Sequence, residues 1–397
     1  MIDISRSLEH FQESVIREMT RKAIENDAIN LSQGMPDFSP PLELIEGIRE
    51  GLDKEEHQYS VTYGRTDLRE KISEKLQNYN KLVVDPYNEL TITCGASEAI
   101  ASSLLAITNP GDEILILEPF YENYVPITYL AQSKPMFVSL SKENYSIDEE
   151  VLKSNITKKT KAIMINSPHN PTGKVFSPED FKIISDLCID HDILVITDEI
   201  YEHIIFDGLK HLSIGSFDSM KERTITISGF SKTFSVTGWR IGYVAANQEL
   251  MNGIRKVHDY LTVCAPSLLQ YAILKAFDLS SIYYNELINR YQKNRDFFYD
   301  RLLNLGMKVF NPQGAYYMFA DISQFGMNDI EFADYLVKDE GVATVPGSSF
   351  YTNNRFGNNP GSNYVRFSFS QKLETLQNAA ERIKKRLFSK SLKNAQG

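Results

Sequence analysis

Lys232 stands in Ser231-Lys232-Thr233-Phe234-Ser235-Val236-Thr237-Gly238-Trp239-Arg240, directly after the apolar run Thr224–Ser228. A lysine held at the end of a strand among small and hydroxyl residues can lose part of its hydration, which disfavours the ammonium and leaves a nucleophilic amine. Taken alone, the same residue reads far more readily as a solvated surface lysine, because lysine is seldom buried unpaired. Arg240, eight positions on, offers a planar fork suited to a phosphate or to an ordinary ion pair. Gly95-Ala96-Ser97 follows the run Glu89–Cys94 and opens a helical stretch. Its free backbone N–H groups and helix dipole suit the same anion, although such turns also serve as compact connections. Asp198 closes the apolar run Ile193–Asp198. A buried carboxylate there needs a partner such as a cationic ring nitrogen, or else caps the next helix. Asn170 lies in Asn166-Ser167-Pro168-His169-Asn170-Pro171-Thr172-Gly173, where closely spaced X–Pro units hold an extended loop and fix an amide, or simply make a turn.

Lys232, the Gly95 turn, Asp198 and Asn170 sit at the ends of short apolar runs and Arg240 at the start of one, and those runs alternate with helical segments. Glu89–Cys94, Glu113–Leu117, Lys161–Asn166, Ile193–Asp198, Thr224–Ser228 and Ile241–Ala246 read as strands that are apolar on both faces. Such strands belong to a mostly parallel sheet covered by helices on both sides, whose ligands bind at the carboxyl ends. The expected large α/β domain covers residues 41–278. After Ala246 the texture changes: Glu249–Ala276 and Ser280–Leu305 read as helices, and Met307–Asn311, Gly314–Ile322 and Asn363–Phe369 alternate apolar with polar. These predict a smaller α+β domain of residues 279–397 joined by 1–40, with one solvated sheet face.

Composition limits the function. The chain has 397 residues, 42% hydrophobic and 24% charged, enough for two joined cores. Forty-two Lys+Arg against 52 Asp+Glu give a net charge of −10, which disfavours nucleic acid and anionic membranes as partners. No run approaches a membrane span and the first residues lack a signal-peptide core, so a cytoplasmic location is expected. Cys94, Cys188 and Cys264 are read as buried thiols, and the seven histidines have no metal-ligand spacing, so no metal is expected.

The combination of NPTG (Asn170–Gly173), Asp198 with Tyr201, SKTFSVTGWRIG (Ser231–Gly242) and the late Arg366 resembles the class I/II aminotransferases of fold type I, which depend on pyridoxal phosphate. The resemblance runs from Leu31–Phe38 to Asn363–Phe369. It implies a large domain with a mostly parallel, seven-stranded-type sheet between helices, plus the smaller α+β domain. It implies that Lys232 binds the cofactor aldehyde covalently and carries the α proton, that Asp198 pairs with the ring nitrogen, and that Tyr201 and Asn170 hold the phenolic oxygen. Arg240, Ser231 and the Gly95-Ala96-Ser97 amides would take the phosphate, and Tyr121 would lie on the ring face. Arg366, with Gly34 and Asn170, would hold the substrate carboxylate. Tyr59 would reach the site of a second subunit in a homodimer. The implied reaction moves the α-amino group of an L-amino acid, aromatic, methionine-like or otherwise largely neutral, to a 2-oxo acid such as 2-oxoglutarate by a ping-pong mechanism. The same scaffold also hosts aspartate aminotransferases and C–S β-lyases. Ser97 stands where one branch has a lysine that favours dicarboxylates, and Tyr63, Tyr121 and Tyr124 are candidates for an apolar pocket.

Overall fold

Strands buried on both faces organise the centre of the molecule, as seen in a computed structural model that describes residues 5–353 and 357–394. The described strands are β1 (Ile29–Asn30), β2 (Leu90–Thr93), β3 (Glu113–Glu118), β4 (Lys134–Ser139), β5 (Thr160–Asn166), β6 (Leu194–Asp198), β7 (Thr224–Gly229), β8 (Gly242–Ala245), β9 (Lys308–Val309), β10 (Tyr317–Asp321), β11 (Val342–Ala343), β12 (Val345–Pro346) and β13 (Tyr364–Ser368). Seven of them form one sheet in the order β2-β8-β7-β6-β5-β3-β4, in which β8 alone runs antiparallel to its neighbours.

Successive side chains of these strands leave opposite faces. Ile114 and Ile116 pack with Ile100 and Leu104 of the helix Ala96–Ile107 and with Met251 and Ile254 of Gln248–Thr262. Leu115 and Leu117 pack on the other side with Phe181, Ile184 and Leu187 of Pro178–Asp190. That last helix starts where its sequence demands, with a Ser177/Asp180 capping box and Pro178 in its first turn. β4 has no counterpart among the runs read from the sequence: it is an edge strand containing Pro135, half exposed, so the two-faced apolar signature is missing. The helix expected over Glu249–Ala276 is broken into Gln248–Thr262 and Ser267–Leu274 by Val263, at φ 66, and by Pro266.

A second sheet, ordered β12-β13-β10-β9, is antiparallel, and β1 pairs in parallel with β11. Its expected solvated face does not exist: β10 and β13 are buried on both sides. Met318 and Phe367 meet Phe298 and Leu302 of the helix Ser281–Asn304, while Phe319 and Val345 join the cluster containing Leu117, Ile163 and Phe176. The large sheet's own layer thus covers the face that alternation assigned to water. Of the cysteines only Cys188 is buried; Cys94 and Cys264 are half-buried, because both sit in connections outside the strands and helices. No described helix is long and apolar enough to cross a membrane.

Candidate active site

β5 and β6 deliver their last residues, and the loop after β7 delivers Ser231 and Lys232, into one cavity of about 410 Å³, roofed by β13 and by the start of the helix Val15–Glu25. Eleven of the expected site residues line it: Gly34, Ala96, Ser97, Tyr121, Asn170, Asp198, Tyr201, Ser231, Lys232, Arg240 and Arg366. Gly95 lies one residue behind, at φ 78 as the residue before the helix Ala96–Ile107. A methyl group at Gly95 would run into the Arg240 guanidinium, so the missing side chain is what lets the fork lie on this turn. Arg240 also donates to the Thr237 carbonyl (3.1 Å).

The loop after β5 is tied down from within. Asn166 accepts from the Asn170 backbone N–H at 2.7 Å and donates to the Asp198 carbonyl at 2.8 Å. Arg366 reaches in from β13 and donates through Nη1 to the Asn170 side-chain oxygen at 2.8 Å, and through Nη2 to the Ser32 carbonyl at 2.5 Å. The Asn170 oxygen being taken, its NH2 remains as the free donor. Arg366 is fully buried, its Nε has no partner, and its ring-face neighbour is Tyr317, 4.2 Å from the guanidinium carbon. Among the described residues it faces no carboxylate within ion-pair distance.

Burial sets the charges. Lys232 donates to the Gly34 carbonyl at 3.2 Å, and desolvation, with Arg240 and Arg366 nearby, brings its amine down to about 8 against the pull of Asp198. Asp198 is pushed up to about 6 by burial, although Tyr124, the Ile200 N–H and Lys232 all favour its ionised form. The Asp198 side chain accepts from the Ile200 N–H at 3.2 Å, closing a turn where no helix follows for it to cap, and from the Tyr124 hydroxyl at 2.9 Å. Tyr201 shares a hydrogen bond with Tyr317 at 3.0 Å. At the mouth, the Ser14 hydroxyl donates to Glu122.

Some candidates lie elsewhere. Tyr59 is 80% exposed and outside its own chain's cavity. Tyr63 is absent from the lining because Arg255 stacks on its ring at 3.8 Å. His169 is buried against the Thr172 hydroxyl, with its pKa held down near 3 by burial, and does not reach the cavity. Tyr124, a candidate for an apolar pocket, lines the cavity but turns its hydroxyl onto Asp198, and Tyr317, not singled out by the sequence, bonds Tyr201; these contacts span 74 and 116 residues, beyond the reach of local motifs. A buried cluster of Glu199, Glu202 and His211 also brings its ligand atoms within 4.8 Å. Lys75 pairs with Glu202, and Asn80 donates to both carboxylates, so the cluster's charge is already answered by protein groups.

An open α/β sheet with a lysine, a carboxylate and two arginines converging on one cavity at its strand ends defines an enzyme of the fold type I transferase class. Residues 26–383 match the family Aminotransferase class I and II, and the chain belongs to it. It is 39% identical over 369 residues to an aspartate aminotransferase of Pyrococcus abyssi, covering 92% of this chain and 93% of that one. It is 36% identical over 396 residues to aromatic-amino-acid aminotransferase 2 of Thermococcus litoralis, covering 98% and 99%. The solved N-succinyldiaminopimelate aminotransferase of Mycobacterium tuberculosis superposes with a TM-score of 0.92 at 34% identity, covering 96% of this chain and 99% of that one.

Proposed function

We propose that this aminotransferase binds pyridoxal phosphate at Lys232 and moves the α-amino group of a largely neutral L-amino acid, aromatic or methionine-like, to a 2-oxo acid such as 2-oxoglutarate. The observation that carries this reading is Arg366: a buried arginine with an unpartnered Nε and no described counter-ion, beside an amine held near 8, is a site that lacks one anion. The substrate α-carboxylate is that anion, and Gly34 would border it; a methyl group at Gly34 would overlap the Tyr317 hydroxyl, so the glycine is what lets Tyr317 sit under Arg366.

The donor set fits the cofactor piece by piece. Arg240, Ser231 and the N–H groups of Gly95, Ala96 and Ser97 would hold a phosphate at a helix start. Asp198 would hold the ring nitrogen, while the Tyr201 hydroxyl and the free Asn170 NH2 would hold the phenolic oxygen. Tyr121 would cover a ring face. When bound, pyridoxal phosphate supplies an aldehyde for an amine and a protonated ring that takes up electrons as the substrate loses its α proton. The Lys232 amine, brought close to neutrality by burial, takes up and returns that proton. Arg366 fixes the carboxylate so that one Cα–H bond is presented to Lys232. Donor and acceptor use the same cavity in turn, which is a ping-pong order.

A neutral substrate side chain is favoured by Ile16, Ile100 and Tyr121 on the cavity wall and by Ser97 in the phosphate turn, while Arg17 and Glu122, of opposite charge, both lie on the lining. The T. litoralis relative is named for aromatic amino acids and the P. abyssi relative for aspartate, so the names alone do not separate the two. Tyr59, so exposed here, is proposed to serve the cavity of a second copy. Residues 41–278 would carry the cofactor, with 1–40 and 279–397 forming the smaller unit that brings Arg366.

Borohydride reduction of the purified, cofactor-loaded protein, followed by peptide mapping, tests the reading. The label is expected on Lys232, together with a spectral change on adding amino acid alone and turnover only with a 2-oxo acid. A label elsewhere, no cofactor uptake, or release of pyruvate and thiol without an acceptor overturns it.

A further inference from the structure

The Asp198 carboxylate has two hydrogen bonds among the described residues, and only one comes from a side chain. Oδ1 accepts from the Ile200 backbone N–H, which any sequence would supply. Oδ2 accepts from the Tyr124 hydroxyl at 2.9 Å. Tyr124 is the first residue of the helix Tyr124–Leu130, is 3% exposed, and is fixed by its own backbone, which donates to the Tyr121 carbonyl and accepts from the Thr128 hydroxyl. Its ring meets Tyr121 edge to face, with centroids 5.5 Å apart at 84°. The hydroxyl therefore has one place to point.

We propose that Tyr124 is a positioning residue whose hydroxyl keeps Asp198 ionised and aimed, and so keeps the ring nitrogen of the bound cofactor protonated. This rests on the reading of Asp198 given under Proposed function. The physical argument is one of balance. Burial pushes the Asp198 carboxyl up to about 6, just below neutrality, while Glu199 next in the chain pushes it further. Opposing them are Tyr124 from its helix, the Ile200 N–H, and Lys232 from the loop after β7. Tyr121 also faces the group, and burial keeps both tyrosines protonated through the working range. A protonated phenol beside a carboxylate can only donate, which favours the charged form of Asp198. With that donor gone, the carboxyl would titrate near neutral pH and stop holding a positive charge on the ring.

Tyr124→Phe removes the hydroxyl and keeps the ring packed on Tyr121, so the variant isolates the hydrogen bond. Titrating full-length protein with pyridoxal phosphate, read by the fluorescence of Trp239 beside Arg240, is expected to show about tenfold weaker binding. In the loaded enzyme, kcat is expected to fall about tenfold with KM for the amino acid within about twofold, and the acid limb of kcat to move toward neutral pH by about one pH unit. In an Asp198→Asn background, Tyr124→Phe should change the cofactor affinity no further. Unchanged affinity and an unchanged acid limb in Tyr124→Phe, or an equal loss in the Asp198→Asn background, overturns the proposal. A wild-type protein whose Lys232 is not labelled by borohydride instead overturns the cofactor reading beneath it.

Discussion

Arg366 and Asn170 are 196 residues apart in sequence and 2.8 Å apart in the fold, where the guanidinium takes the amide oxygen and leaves the amide NH2 free. The contact couples the arginine proposed to anchor the substrate to the loop proposed to hold the cofactor, so the two cannot be positioned independently. Arg366→Gln should lower kcat/KM for every amino donor by about 10²–10³-fold, carried mainly by KM, because the proposed pair with the substrate α-carboxylate is lost. Steady-state kinetics across neutral, aromatic and acidic donors checks this; a loss confined to one donor would place Arg366 at the side-chain end of the substrate.

Asp198 works at the expense of stability. Its carboxyl rises from the usual 3.8 to about 6, so the folded chain binds the proton more tightly than the unfolded chain. The resulting penalty is absent below about pH 3.8, grows between the two values and is complete above about pH 6. Its ceiling is about 3 kcal/mol, at about 1.4 kcal/mol per pH unit. Asp198→Asn should therefore raise the melting temperature of the cofactor-free protein at pH 7.5, with about half the gain left at pH 5. The Tyr124 hydroxyl can accept from the new amide. Thermal scans at both pH values decide the sign.

With the cofactor removed, Lys232 should be the most reactive lysine. An amine at about 8 is about half neutral at pH 8, whereas an ordinary lysine near 10.5 is neutral in about one molecule in three hundred. Brief acylation at pH 8 followed by mass spectrometry should find Lys232 labelled first, and prior addition of pyridoxal phosphate should protect it.

Gly95→Ala tests the phosphate turn. It places a side chain at φ 78 and drives a methyl group into the Arg240 guanidinium. The strain costs about 1–2 kcal/mol. Cofactor affinity should fall at least tenfold, with KM for the amino acid little changed in the loaded fraction. Titration of the variant with pyridoxal phosphate measures it.

The sequence announced what local patterns can carry. Strands apolar on both faces, such as Thr160–Asn166 and Thr224–Gly229, name a covered parallel sheet, and the groups at their ends name the cavity. Residues carried on short motifs, Asn170, Asp198, Lys232 and Arg240, were legible because a motif fixes its own backbone. The edge strand Lys134–Ser139 was not, because half-exposure and a proline erase its signal.

The amino-acid order by itself determined the chemistry on offer: an amine, a carboxylate, an anion-binding turn and the arginine forks. Only the tertiary structure decided which groups share a boundary. It turned Tyr63 away onto Arg255, set Tyr124 against Asp198 and Tyr317 under Arg366, and buried the second face of β10 and β13. The reason is range. Hydrogen bonds and desolvation act over a few ångströms, and only the packing of distant segments sets which groups come that close and how far the charges at Lys232 and Asp198 are moved.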